Sequence, residues 1–512
     1  SRRRHTRSLC DWSSDVCSSD LLLQRYREQV QAWEAAAPSE PLAFLAWWPS
    51  LKRQVAGLCK ALNKQARELR LPLSTASAQQ LQAMYQRVEG SEGLAALPEL
   101  LALRQQHSTM TAAQLADAAM EQRRRYLHGG ERPSPGITAR LRRPAAASGV
   151  PALRARNGTL TSNPAACAQI TAKYWAHISR QPPTDPAAQL EVLSHLPIGE
   201  PLAEAAAALG APEVGEHEVR QALKRSRAGT APGLDTQPLE LYRKAPAFIP
   251  LLARLFSAIG ATGQLPHGFH DGLITVLHKA GDRSDPANYR PITLLNSDYR
   301  LLAKVLVHRL SPHLPKVIGP EQTAFIKGRS IGDSIHLLQL LPHLLAREGR
   351  WAMAVFCDFR KAYDTVDRAF LLSILQRLGV GPGFLAWVRL LLANTRSAAL
   401  VNGALSNPER FNAGVRQGCP LAPLLYLFIG LALHCFLKAK GVGVTAAGQQ
   451  HPGPQYADDY EALLEGGSLT AMQQRVATFL SAMRTFQAAA GQELNPAKTK
   501  LLPIGEIGRA HV

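Results

Sequence analysis

The sequence predicts an α+β fold, on three observations. Hydrophobic residues make up 46% of its 512 residues, enough for a packed core and too many for disorder. Apolar residues recur at three-to-four spacing through the first part, the period of helices packed on one face. From about Val219 short strand-like runs alternate with helices, spaced too irregularly for a doubly wound sheet.

Taken in order, residues 22–218 read as mostly helical. "PLAFLAWWPSLKRQVAGLCKALNKQAREL" and "AAQLADAAMEQRRRYLHGG" set Lys and Arg between apolar positions. Arg132 to Gly158 is rich in Pro, Gly and Arg and reads as irregular, and "RRRYLHGGERPSPGITARLRR" is a basic patch suited either to phosphate or to solvent. Beyond Val219 the expected strands are "GLITVLHK", "WAMAVFCDF", "AALVNGALS" and "YEALLEG". Helices are expected over "YRLLAKVLVHRLSPHLPKVI" and "FLLSILQRLGV". The apolar run Pro420 to Leu437 approaches membrane-spanning length, but its prolines, glycine and His434 favour a buried core helix. No internal repeat of fixed period is found.

The two ends read differently. "EIGRAHV" (506–512) can be encoded by GAG ATC GGA AGA GCA CAC GTC, whose reverse complement encodes "DVCSSDL" (15–21). One end is thus encodable as the antisense of the other, as a sequencing adapter read in both directions would be. Residues 1–21 and 506–512 are therefore expected to be adapter-derived, and the rest an internal fragment of a longer protein.

Lys and Arg number 58 against 39 Asp and Glu, a formal charge of +19. The end segments hold four Arg against three Asp and one Arg against one Glu, so nearly all the excess lies between them. Such a balance points to a polyanionic partner, most simply nucleic acid. Outside the ends the cysteines (Cys59, Cys167, Cys357, Cys419, Cys435) are scattered with no CxxC pair, which argues for reduced intracellular thiols and against a zinc module.

Two acidic sites carry the chemistry. "AVFCDFRKAYDTVD" delivers Asp358 at the end of an apolar strand, with Asp364 and Asp367 beyond it. "QYADDYEALL" sets Asp458 beside Asp459; alone, that pair reads as a surface turn. If the two strands are neighbours, three carboxylates converge, and their repulsion requires cations. Oxygen ligands of this kind suit Mg²⁺, which keeps water and takes further ligands from phosphates.

"FCDFRKAYDTVD", "RQGCPLAPLLYLF" and "YADD", in this order, resemble the palm motifs of a reverse transcriptase. "RAGTAPGLDTQPLELYRK", "HKAGDRSDPANYRPITLLNSDYRLLAKVLVHRL" and "EQTAFIKGRSIGDSI" upstream, with "AAAGQELNPAKTK" downstream, resemble the non-LTR (LINE-type) retrotransposon branch. The resemblance runs from about residue 219 to 503, with Ala422 where the family usually has Ser and Ala324 where it usually has Gly. It implies a right-hand polymerase: fingers over 219–345 and palm over 346–505, an antiparallel palm sheet backed by helices, preceded by a mostly helical extension. Thumb and endonuclease are expected to be absent from this stretch, and the isolated fragment inactive for want of a thumb.

The resemblance further implies two Mg²⁺ ions, with Mn²⁺ as a substitute, held by Asp358, Asp458 and the main-chain carbonyl of Phe359, with Asp459 supporting. Tyr363 would lie under the incoming sugar and exclude a 2′-hydroxyl. Gln417 and Gly418 would line the nucleotide pocket, and Lys279 and Arg290 would hold the triphosphate. Arg329 would touch the template, and Lys498 would protonate or neutralise the leaving pyrophosphate. Implied partners are an RNA template, a DNA primer or target DNA and dNTPs, with no membrane and a nuclear location. The competing expectations are a catalytically inactive polymerase-like RNA-binding protein or element remnant, and an intron-maturase-like enzyme.

Overall fold

The computed structural model describes residues 20–89, 99, 101–103, 105, 149–446 and 448–504. The stretch Ala112–Gly130, the basic patch as far as Arg143 and all but the inner edge of the two end segments lie outside the described residues. The elements that matter are α1 (Asp20–Ala35), α2 (Pro41–Glu89), α3 (Pro164–Ile178), α4 (Phe248–Thr262), β1 (Gly272–His278), β2 (Tyr289–Leu295), α5 (Ser297–Leu310), α6 (Ile331–Arg347), β3 (Trp351–Cys357), α7 (Arg368–Arg377), β4 (Arg396–Val401), α8 (Ala422–Ala439), β5 (Gln455–Tyr456), β6 (Asp459–Gly466), α9 (Leu469–Ala490) and β7 (Lys500–Ile504). The α+β expectation holds. One helix ends earlier than its periodicity predicts: after Leu310 the chain passes through a 3-10 turn (Ser311–His313) into a short helix (Leu314–Val317). Pro312 and Pro315 lack the N–H groups that a continuous helix needs.

Two sheets organise the second half. One runs β2-β1-β4, with β1 antiparallel to β2 and parallel to β4. The other is antiparallel, in the order β5-β6-β3-β7. Strand β4, far along the chain, thus joins the first sheet through β1, while also pairing antiparallel with the short strands that follow it, Ala404–Leu405 and Glu409–Arg410.

Alternation along β3 divides its side chains between two layers. Val355 and Cys357 join the main core with α8 and α9, while Ala352, Ala354 and Phe356 meet Leu341 and Leu345 of α6. The apolar helix α8 is long and apolar enough to cross a bilayer, yet 72% of it is buried inside the fold, as the sequence predicts.

The N-terminal helices are more than a linker. Tyr26, Val30, Phe44, Trp48, Leu51 and Val55 belong to the same core as α4, α5, α8 and α9. Lys52 forms ion pairs with Asp235 at 2.9 Å and Asp298 at 3.0 Å, and Trp48 Nε1 donates to Asp298 at 2.9 Å. Burial opposes the Lys52 charge, but the two carboxylates outweigh it and hold the ammonium above its ordinary value.

Candidate active site

The "YADD" stretch is both a turn and a site. Tyr456 pairs with Asp459, so Ala457 and Asp458 form the two-residue loop of a tight hairpin. Ala457 takes φ +58°, the left-handed region that strains a residue with a Cβ. β6 then runs antiparallel to β3, with Tyr460 opposite Cys357. The ladder ends there, so Asp358, the next residue, leaves β3 at the end where the hairpin lies, close enough for its charge to act on Asp458 and Asp459.

The electrostatics follow from this meeting. Burial pushes the Asp458 carboxyl upward and Asp358 adds to it, against the pull of Arg290 and Lys279. Asp459 is pushed up by burial and then by Asp458 and Asp358. Arg290 stands on β2 opposite Leu277, and Lys279 follows the end of β1, so the first sheet extends two exposed cations toward the acids of the second.

Among the described residues no three or more His, Cys, Asp or Glu side chains are gathered so as to hold a metal ion by themselves. The three acids instead make an open, anionic edge. An all-oxygen donor set of this kind fits Mg²⁺, whose shell is completed by water and phosphate. Phe359, buried, carries on from Asp358 and lines a small cavity with Asp458, Asp459 and Tyr426.

Tyr363 lies stacked on Tyr426, with ring centroids 4.6 Å apart and planes at 20°. Burial raises its phenol, and the charge of Asp458 raises it further, which places the ring beside the acids. Tyr426 is itself held by Gln492, whose Nε2 donates to its hydroxyl at 3.0 Å. Gln417 Nε2 donates to Asp364 Oδ2 at 2.8 Å. Burial lifts Asp364 to about 7 against the pull of Lys361, Gln417, Arg290 and Lys279. Gly418 has φ +102°, and a Cβ there would stand 2.1 Å from the Thr293 carbonyl oxygen of β2. Its lack of a side chain therefore lets the loop before α8 pack on β2, a packing reason beside the ligand-approach reason expected from sequence.

Two expected residues stand apart. The Arg329 guanidinium donates to the carbonyls of Gln322 and Ile318, both at 2.8 Å, and of Gly319. Three of its five N–H donors thus go to carbonyls of its own loop. Lys498 is exposed, and its charge is felt at Lys361.

Sequence reasoning missed several partners. Asn495 Nδ2 donates to Asp358 Oδ2 at 3.0 Å, while the Asn495 N–H donates to the Asp358 carbonyl at 2.7 Å. Lys361, at φ +50°, covers the Trp175 ring at 4.4 Å and donates to the Ala287 carbonyl at 3.2 Å, bridging the two sheets. Asn495 and Lys361 both sit inside motifs already marked out, which was the available signal. Asp367, beside Asp364 in sequence, is the N-cap of α7, accepting from Phe370 N at 2.6 Å.

Residues 277–505 match the family model for reverse transcriptase (RNA-dependent DNA polymerase). The chain carries a reverse transcriptase domain. The chain is 28% identical to the transposon TX1 149 kDa protein of Xenopus laevis over 439 residues, 85% of this chain and 33% of the relative. A Pol polyprotein of the R2 retrotransposable element of Popillia japonica is 28% identical over 302 residues, 58% of the chain and 40% of the relative. A probable RNA-directed DNA polymerase from transposon X-element of Drosophila melanogaster is 30% identical over 218 residues, 41% of the chain and 23% of the relative. The chain thus spans two fifths or less of the length of these curated relatives.

Proposed function

We propose that this chain is the catalytic part of a non-LTR retrotransposon enzyme that adds dNTPs to a DNA primer 3′-hydroxyl on an RNA template. The observation that carries the reading is the strand register that sets Asp358 against the Asp458–Asp459 hairpin, with Arg290 and Lys279 facing the acids from the other sheet. Asp358 and Asp458 would hold two Mg²⁺ ions, with Phe359 lending its carbonyl and Asp459 its charge. When bound, these ions activate the primer hydroxyl and neutralise the leaving pyrophosphate.

The protein's own contribution is positioning and charge. Arg290 offers a planar fork and Lys279 a point charge for the triphosphate, with Lys498 as an outlying cation. The Tyr363 ring, fixed on Tyr426, would form a floor under the sugar and exclude a 2′-hydroxyl. Gln417, its amide held by Asp364, flanks the nucleotide with Gly418. Target DNA as primer and a nuclear location belong to the same reading.

In the full-length protein, Asp458→Asn should abolish extension of oligo(dT) on poly(A), by about 10³-fold or more on the scale of several kcal/mol of lost charge stabilisation. Salt-sensitive RNA retention should persist. Undiminished extension would refute the metal assignment, and RNA retention with no extension by the unsubstituted protein would point to a binding protein instead.

A further inference from the structure

The hairpin that bears Asp458 is strained at Ala457 and too short to hold itself. What holds it comes from a distant loop. Between α5 and α6, residues 321–323 lie against the outer edge of β5: Gln455 N–H donates to the Glu321 carbonyl at 2.8 Å, and Thr323 N–H donates to the Gln455 carbonyl at 3.0 Å. Gln322 and Gln455 form a parallel bridge there. The loop thus serves as an added strand on the catalytic hairpin.

The Gln322 side chain goes further. Its Oε1 accepts from Ala457 N at 3.0 Å and Ala324 N at 3.1 Å. Its Nε2 donates to the Ala457 carbonyl at 3.3 Å and to Gln455 Oε1 at 3.1 Å. Gln455 Nε2 passes the chain on to the Gly430 carbonyl of α8 at 3.3 Å. All four hydrogen-bonding positions of the Gln322 amide are filled, so a flip would set its NH₂ against two N–H donors. Gln322 is 2% exposed and Gln455 4%, so water cannot replace these bonds.

We infer that Gln322 is a positioning residue for the polymerase reaction, clamping both backbone groups of Ala457 and so fixing where Asp458 presents its carboxylate. The kinetic side of this rests on the proposed polymerase function; the clamp itself does not. It also accounts for an uncharged residue buried in the "EQTAF" motif, for which sequence reasoning offered no task.

The test compares Gln322→Met, which keeps length and removes every bond of the amide, with Thr323→Val. Thr323 sits in the same buried loop; its hydroxyl bonds Ser334 Oγ at 3.2 Å and donates to the Gln455 carbonyl at 3.3 Å, at the foot of the hairpin, but it bonds neither backbone group of Ala457. In the full-length protein, Gln322→Met should lower kcat for primer extension by about tenfold or more and raise the Mg²⁺ concentration for half activity. The dNTP KM should stay within about twofold. Thr323→Val should lower Tm comparably without either kinetic change. Amide exchange of Ala457, read in this chain without any assay of activity, should be slow in the parent and in Thr323→Val and at least about tenfold faster in Gln322→Met.

A Gln322→Met kcat within about twofold of the parent, or the same Mg²⁺ shift in Thr323→Val, would overturn the positioning role. Unchanged Ala457 exchange in Gln322→Met would overturn the clamp whatever the kinetics. Accelerated exchange, with no extension by the unsubstituted protein, would bring down the polymerase reading and leave the clamp standing.

Discussion

The molecule holds two groups of buried or half-buried charge that resolve in opposite ways. At Lys52 an ammonium lies between Asp235 and Asp298, with Trp48 donating to the same carboxylate. The cation is supplied from within, by the N-terminal helix, and the group is closed. At Asp358, Asp458 and Asp459 the acids converge with no cation in contact, and burial and mutual repulsion push Asp458 and Asp459 upward. Arg290 and Lys279 face this edge without pairing with it. A balanced cluster joins parts of the fold, whereas an unbalanced one stores a demand that a ligand can meet.

The contrast breaks first, and by the largest effect, at Lys52. Lys52→Met should cost about 3–5 kcal/mol in denaturant unfolding, because it leaves Asp235 and Asp298 buried without a cation. Adding Asp235→Asn and Asp298→Asn to it should recover much of that loss. If the single change were silent, the cluster would not be the fastener described here.

On the other side, Asn495→Ala frees one oxygen of Asp358 and should lower kcat or metal affinity about 10- to 100-fold with little change in Tm, measured by Mg²⁺ titration of primer extension. An equal loss of stability and activity would make Asn495 a fold residue only.

The smallest effect sharpens the comparison through pH. Asp364 is lifted from 3.8 to about 7, so its ionised form burdens the fold. The stability associated with its protonated form is complete below about pH 4 and is lost as pH rises through about 7. Asp364→Asn should therefore stabilise the protein by about 1–3 kcal/mol at pH 8 and hardly at all at pH 4, read as Tm at the two pH values. A gain equal at both would show that packing, not charge, is the cause.

Much of the site was legible because its residues are local motifs. Asp358 ends an apolar run whose strand the structure confirms, and the turn-like "YADD" proves to be a turn that carries the acids. The structure sets Tyr363 near Asp458 and bonds Gln417 to Asp364. The loop-holding bonds of Arg329 were not legible, because a basic residue in a motif looks the same in sequence whether or not it caps carbonyls. Asn495 and Gln322 escaped assignment because an uncharged amide gives no electrostatic signal until its partners are seen.

By itself the sequence determined which segments become strand and helix, the excess of positive charge and which acids are available, since these depend on periodicity and composition within short windows. Tertiary structure alone decided which acids meet, that β4 joins β1 across more than a hundred residues, and that the N-terminal helices share the core. Strand register and the burial of a charge are properties of pairs far apart in the chain, and their energies exist only once water has been excluded between them.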